Sequence, residues 1–394
     1  MAILYDLVIT PTVSTPLDLA IHETQIEINF WQSLVEQRFV SGAFLLDGVD
    51  AKINSDVFYK VRPKSNGGQL FENLSHLFLS QLQSFKVINS LIKVKHQQGR
   101  TQDYQIESLR WINQGNRHQA SGELFVDGFS NNSISLIVDL YGQRRQNIFG
   151  QVYLEASKMD VSPWLTQLIS DHISLESTEA SFKVWGNVKD GLVGDIVVDV
   201  TDSGIRWQKS EQEQYLGVKS AKLQWAKSTS GWSMFGNDIA LNNGAEEYDG
   251  FNLVVKSSDN NTLVNVTEGD IQPISRLFSL FSATKGLGLL AESEINGQLD
   301  YFKLNVDPQN KLNAITRLSN LSLAPIQSEN TAYLGVDGLD LSGYWSGNQG
   351  WFELTGKDGT FNTQDTFSEH FTYSEFMVMT HVKSSDYGIT INVP

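Results

Sequence analysis

The chain has 394 residues, 40% of them hydrophobic and 19% charged, a balance that describes a folded protein and excludes a disordered one. Its 45 acidic residues outnumber its 29 basic ones, and the net charge of −16 disfavours nucleic acid or an anionic membrane as a partner held by charge. No cysteine is present, which removes thiol nucleophiles, disulfides and thiolate-rich zinc sites together.

No run approaches the roughly 18 apolar residues of a membrane span, and no basic segment followed by an apolar one opens the chain. The start, MAILYDLVIT, runs straight into alternating strand, and the end, YGITINVP, stops in another. Both ends read as cut from something longer. The 31 glycines against 8 prolines suit many short strands joined by tight turns.

Residues 3–9 and 17–30 read as strands, the second with Ile26, Ile28 and Phe30 opposite Gln25, Glu27 and Asn29. Trp31 to Phe39 suits a short helical turn, and Ser41 to Ile53 returns to strand. Residues 62–69, RPKSNGGQ, are the clearest loop. Leu70, Leu74, Leu77, Phe78, Leu82 and Phe85 then keep helical spacing. From Lys86 to Asp139 the pattern is β again, through FKVINSLIKVKH, YQIESLRWI, GELFVDG and SISLIVDLY.

The unit from Ile148 to Ile169 sets a theme. Val152, Leu154 and Ala156 alternate with Tyr153, Glu155 and Ser157, as in a strand with one buried face. Ser162 can cap a helix whose first position suits Pro163, and Val161, Leu165, Leu168 and Ile169 form one apolar stripe. Residues 174–266 read as about eight short strands with glycine turns. A second proline–helix unit follows at 270–281, DIQPISRLFSLF, and a weaker third, LSLAPI, centres on Pro325. Glycines recur near strand starts, in SGAF, SGEL, FGQV, WGNV, NGQL and SGYW, at uneven spacing. The pattern is a loose repetition of sheet segments and not a short-period solenoid.

Catalytic signals are poor. No G-x-S-x-G elbow occurs, although Ser233 and Ser346 lie in similar contexts, and TKGLGL lacks the third glycine of a phosphate cradle. Asp199, Asp202 and Gly204 in DVTDSG miss the calcium-loop spacing and read as a turn. The seven histidines are scattered without an H-x-x-x-H pair. Acidic pairs such as Glu246–Glu247 read as solvated turns, and Arg144–Arg145 is the best basic pair. No catalytic, cofactor or metal site is expected. Among 9 tryptophans, Trp111, Trp185, Trp207, Trp225, Trp232, Trp345 and Trp351 fall in or beside strands, where sheet core is favoured over an exposed sugar-stacking platform.

The stretches NFWQSLVEQRFVSG (29–42), QSFKVINSLIKV (83–94), LRWINQGNRHQASGELFVDG (109–128) and GQVYLEASKMDVSPWL (150–165) resemble the YhdP group of AsmA-like proteins. Trp111–Gly122 and Asp160–Leu165 carry the resemblance most specifically. It implies an inner-membrane anchor outside this chain and a periplasmic body related to TamB and the eukaryotic bridge-like lipid carriers. The implied role is movement of phospholipid between inner and outer membranes, in support of the outer-membrane permeability barrier. The family has no catalytic motif to transfer.

The expectation is therefore a mainly β fold, an elongated, twisted antiparallel sheet forming an apolar groove, with a few short amphipathic helices. Residues 1–394 would be one such segment, with sub-blocks 1–62, 70–173 and 174–394. Leu124, Val126, Ile134, Leu136, Val138, Leu140, Val152, Leu154 and Ala156 are the candidate lipid-facing residues, expected on one face of one sheet. The expected partners are phospholipid acyl chains and proteins at either membrane. A carbohydrate-binding β module, a glycan-processing enzyme and a non-binding envelope scaffold remain the alternatives.

Overall fold

The structure, a computed structural model, describes residues 2–9, 18–28, 30–36, 41–54, 79, 82–95, 101–127, 132–165, 173–209, 212–258, 261–273, 276, 295–309, 311–324, 326–328, 331–333, 335–362, 371–385 and 388–393. One-sided alternation of apolar residues produces strands almost throughout. Twenty of the described strands belong to one sheet.

Residues Met1–Pro163 and Glu179–Val198 form one unit, and Trp164–Thr178 with Asp199–Pro394 form the other. The first holds β1 (Ala2–Ile9), β2 (Asp18–Ile28), α1 (Phe30–Glu36), β3 (Ser41–Asn54), β4 (Ser84–Lys95), β5 (Thr101–Gln114), β6 (Arg117–Val126), β7 (Ser133–Tyr141) and β8 (Phe149–Met159). It also takes most of β9 (Ser174–Lys189). Each strand pairs with its successor in antiparallel order, as short connections require, except that β3 and β4 are parallel.

The second unit contains part of β10 (Leu192–Lys209), then β11 (Gln212–Lys227), β12 (Gly231–Asn242), β13 (Phe251–Ser258), β14 (Asn261–Thr267), β15 (Ile295–Val306) and β16 (Leu312–Leu323). β19 (Gly335–Ser346), β20 (Gln349–Asn362), β21 (Phe371–Ser385) and β22 (Gly388–Asn392) complete its sheet. A separate hairpin joins β17 (Ile326–Ser328) to β18 (Thr331–Tyr333).

Several expectations change. Among the described residues, 174–266 hold six strands and not about eight, because glycines read as turns lie inside strands. Gly204 is one: a side chain there would strike the Tyr215 ring, so the glycine makes room for a large neighbour. DVTDSG is likewise not a turn. It lies inside β10, where Asp202 takes a left-handed φ of 42°. Phe85 belongs to β4 and not to a helix, because it alternates with Val87 toward the buried face, and both are buried. Of the other residues that set the expected helical spacing, Leu82 is buried just before β4, and Leu70, Leu74, Leu77 and Phe78 lie outside the described ones.

The strand expected over 17–30 ends at Ile28, and Phe30 opens α1. The LSLAPI unit is strand on both sides of Pro325, ending β16 and opening β17. The 148–169 unit keeps its strand and a described helix, α2 (Ser162–Leu165), while residues 166–170 lie outside the described ones. There the Asp160 carboxylate accepts the Ser162 N–H at 2.9 Å. Of the second proline–helix unit, Asp270 forms an isolated bridge with Gln298, residues 271–273 and 276 are helical, and the others lie outside the described residues.

A line of inserted residues crosses five neighbouring strands. Asp6, His22, Gly48, Asn89 and Glu107 each interrupt the alternation at the same level. Asp6, Gly48 and Asn89 have left-handed φ of 53°, 67° and 47°. Leu4 and Leu7, three residues apart, therefore share a face, as do Leu46 with Val49 and Val87 with Ser90. Polar contacts stitch the line: His22 Nδ1 lies 3.2 Å from Asp6 Oδ1, and Asn89 Nδ2 donates to Asp47 Oδ1 at 3.0 Å.

Candidate functional site

Residues paired directly across an antiparallel ladder point to one face, so the register defines that face without further assumption. Val138 pairs with Val152, Leu136 with Leu154 and Leu124 with Ile134. Leu140 pairs with Gly150, Val126 with Tyr104 and Ala156 with Phe182. The alternation of each strand then puts all nine candidate residues on the same face of the first unit.

Their surroundings differ. Val126, Ile134, Val138 and Ala156 are buried, and three of them form a cluster with the fully buried Met159. Leu124, Leu136, Leu140, Val152 and Leu154 are half-buried. The face is thus partly filled by its own side chains and partly open.

Reading across the strands extends the face well beyond those nine positions. One row runs Ala2, Ile26, Phe44, Phe85, Trp111, Ala120, Val138, Val152, Gly186, from β1 to β9 without a polar residue. The next runs Leu4, Thr24, Leu46, Val87, Leu109, Gly122, Leu136, Leu154, Val184, with Thr24 its one polar member. Gly122 is needed in that row: a Cβ there would press on the Ser108 carbonyl oxygen. Phe85, Trp111, Val87 and Leu109 were absent from the sequence-derived candidates. The signal was available in the alternation of β4 and β5, but only the pairing links those strands to Val138 and Leu136.

The second unit carries its own row. Trp225, Met234, Val255, Val264, Leu304, Ala314, Trp345, Gly350, Val382 and Ile391 cross from β11 to β22, again without a polar residue. Gly350 lies under the Trp345 ring, where a side chain would collide with it.

One end of the first unit's face is closed by a polar knot. The Trp111 indole donates to Asn113 Oδ1 at 2.7 Å, and Asn113 Nδ2 donates to the Leu82 carbonyl at 2.7 Å. Those two partners fix the amide orientation, since an indole only donates and a carbonyl only accepts. His118, fully buried, must then donate from Nδ1 to Asn113 Oδ1 at 2.7 Å, while its Nε2 meets the Gly142 carbonyl. The family-like stretch around Trp111 is thus a structural fastening of the sheet.

The opposite face mixes polar pairs with exposed apolar residues such as Ile137, Phe149 and Trp185. Arg117 grips Asp139 through two bonds of 2.8 Å, which holds the Asp139 carboxyl below its usual range, against a smaller opposing effect of desolvation. Tyr153 donates to Glu155 at 2.8 Å, and its phenol is pushed up by desolvation and then by that carboxylate. Arg144 is exposed in a turn closed by its N–H to Asn147 Oδ1, and the Arg145 side chain lies outside the described residues. Among the described residues, no group of three or more His, Asp or Glu side chains is arranged to hold a metal. None of the described helices is long and apolar enough to cross a membrane. The arrangement offers extended apolar contact and no convergence of reactive groups.

Comparison with known proteins agrees with this chemistry. The family described as YhdP protein matches residues 3–394. The intermembrane phospholipid transporter YhdP of Escherichia coli (strain K12) is 23% identical over 226 residues, covering 55% of this chain and 17% of that protein. The match therefore spans well under two thirds of that relative's length. No solved structure matches.

Proposed function

Because this chain belongs to the YhdP family, we propose that its apolar sheet face carries phospholipid acyl chains as one segment of a bridge between inner and outer membranes. The observation behind this reading is the row from Ala2 to Gly186, apolar across nine consecutive strands. An acyl chain leaving water gains about 0.8 kcal/mol per methylene, with no need for a chemically specific contact. Affinity spread evenly over such a face lets a tail move along it instead of being trapped. Contact with lipid falls mainly on the half-buried Leu124, Leu136, Leu140, Val152 and Leu154, while Val126, Ile134, Val138 and Ala156 support the face from within.

In this reading the segment works in the periplasm, supports the outer-membrane barrier, performs no covalent chemistry and takes no cofactor. Headgroup selectivity is weak, because neither of the two rows that make the face carries a basic residue to grip a phosphate. The test is a photo-crosslinking residue at Leu136 or Val152, which should capture phospholipid in cells. The same residue at Glu123 or Ser135, paired with each other on the opposite face, should not. Val152→Arg with Leu136→Asp should interrupt transport while the sheet stays folded. Recovery of protein alone from the Leu136 and Val152 positions would defeat the proposal.

A further inference from the structure

The face of the second unit opposite its apolar row holds a surface that lipid carriage does not use. Two adjacent rows cross ten strands there, one from Gln224 on β11 to Asn392 on β22, the other from Ala226 to Thr390. Neither row contains a carboxylate, in a chain with 45 acidic and 29 basic residues. Both rows carry cations instead, Lys303 in the first and Lys256 and Lys383 in the second, and all three are exposed. None of the three lysines forms an ion pair among the described residues.

Beside them stands an aromatic stack. Tyr344, Trp351 and His381 are neighbours on three consecutive strands, with ring centroids 6.3 and 4.9 Å apart and planes inclined by 20° and 19°. Tyr344 is 43% and Trp351 46% exposed. Strands lie about 4.8 Å apart, so rings stacked across them stand upright on the sheet. Their faces meet one another, and what remains for a partner is the electropositive ring edges with the phenol and indole donors. Beneath this surface the side-chain oxygens of Asn265 and Asn305, flanking Lys303, are buried without a hydrogen-bond partner.

We propose that this strip binds an acidic polysaccharide chain. The sign of the partner follows from charge, because uncompensated lysines on a strongly acidic protein select an anion. Its shape follows from width. The two rows are two residues apart along each strand, about 7 Å, and Glu353 on β20 bounds them on one side. A strip so narrow and so long fits a linear polyanion and not the plane of a membrane. Its chemistry follows from what lies between Lys256 and Lys383 in their row: the half-buried polar side chains of Asn313, Ser346 and Gln349 answer sugar hydroxyls, which an acidic peptide lacks. A neutral glycan is disfavoured, since it needs a free ring face on which to stack.

The test is equilibrium binding of the whole chain to polygalacturonate, with dextran, polyglutamate and phosphatidylglycerol vesicles in parallel. Wild-type protein should bind polygalacturonate and not dextran. Lys256→Gln, Lys303→Gln and Lys383→Gln combined should weaken that binding by about tenfold or more, and Lys183→Gln on the first unit should leave it unchanged. Phospholipid retention by the triple variant should match wild type, which separates this proposal from lipid carriage. Thermal melting of the variant confirms its fold, since all three lysines are exposed. Absence of polygalacturonate binding, wild-type binding by the triple variant, or equally tight binding of polyglutamate or vesicles would each overturn the proposal.

Discussion

Asn113 holds together the polar end of the apolar face. It accepts from Trp111 and His118 and donates to Leu82, so one amide joins the end of β5 to the entry of β4. Asn113→Leu keeps the volume and removes those partners, leaving the Trp111 N–H and the Leu82 carbonyl unsatisfied. The expected cost is about 1–3 kcal/mol of unfolding free energy, read from urea denaturation. On the other face, Arg117 depresses the folded-state pKa of Asp139. A depressed carboxylate stabilises the fold above the ordinary Asp range and loses that contribution as pH falls through the lowered folded value. The gap in urea midpoint between wild type and Asp139→Asn should therefore be open at pH 6 and close toward pH 2. Both side chains are substantially exposed, so the gap is small. A gap independent of pH would mean that the pair does not titrate as the geometry requires. None of this was readable in sequence, because Asn113 and Asp139 acquire their roles from partners on other strands.

Strands were the legible elements and helices the less legible ones. Burial on one face stamps a two-residue period on the chain, so Val152, Leu154 and Ala156 announce their strand directly. Where the alternation slips, at Asp6 or Asn89, the period alone cannot say which face the next residue takes. The tryptophans illustrate the same limit. Trp207 is fully buried and Trp351 is 46% exposed, although both sit among alternating apolar residues. Which face each occupies depends on strand partners far along the chain. α2 is short, and no isolated helix of its length is stable in water, so it owes its existence to packing. Val161, just before it, packs on the cluster of Val126, Ile134, Ala156 and Met159. Val161→Asp should lower stability by about 2 kcal/mol through loss of that burial and introduction of a charge. Unchanged thermal melting would show that the helix entry contributes nothing to the cluster.

At the scale of the molecule, the mainly β, antiparallel architecture was legible because it depends on composition and period, which are local. The parallel β3–β4 pair was not, since it depends on where the segment between them returns. The rows were not legible either, although each contributing strand was. Together the rows predict a bulk property. Lipid-free chain should bind an environment-sensitive apolar dye strongly, and phospholipid added in stoichiometric amounts should displace it. A scaffold whose apolar face is filled entirely by its own side chains would bind little dye and release none on lipid addition.

The line of inserted residues from Asp6 to Glu107 bears on how such a chain can change over generations. A strand has a reading frame of two, and one added residue is a frameshift that turns everything after it inside out. Here five neighbouring strands carry the frameshift at one level, so each corrects for the others and the message on the face survives. Losing Asn89 alone would shift Ile92 and Val94 outward while β3 and β5 held their frames. Single-residue deletions along this line are therefore far more damaging than substitutions at the same positions. Lineages in which the line moves should move it in several strands together.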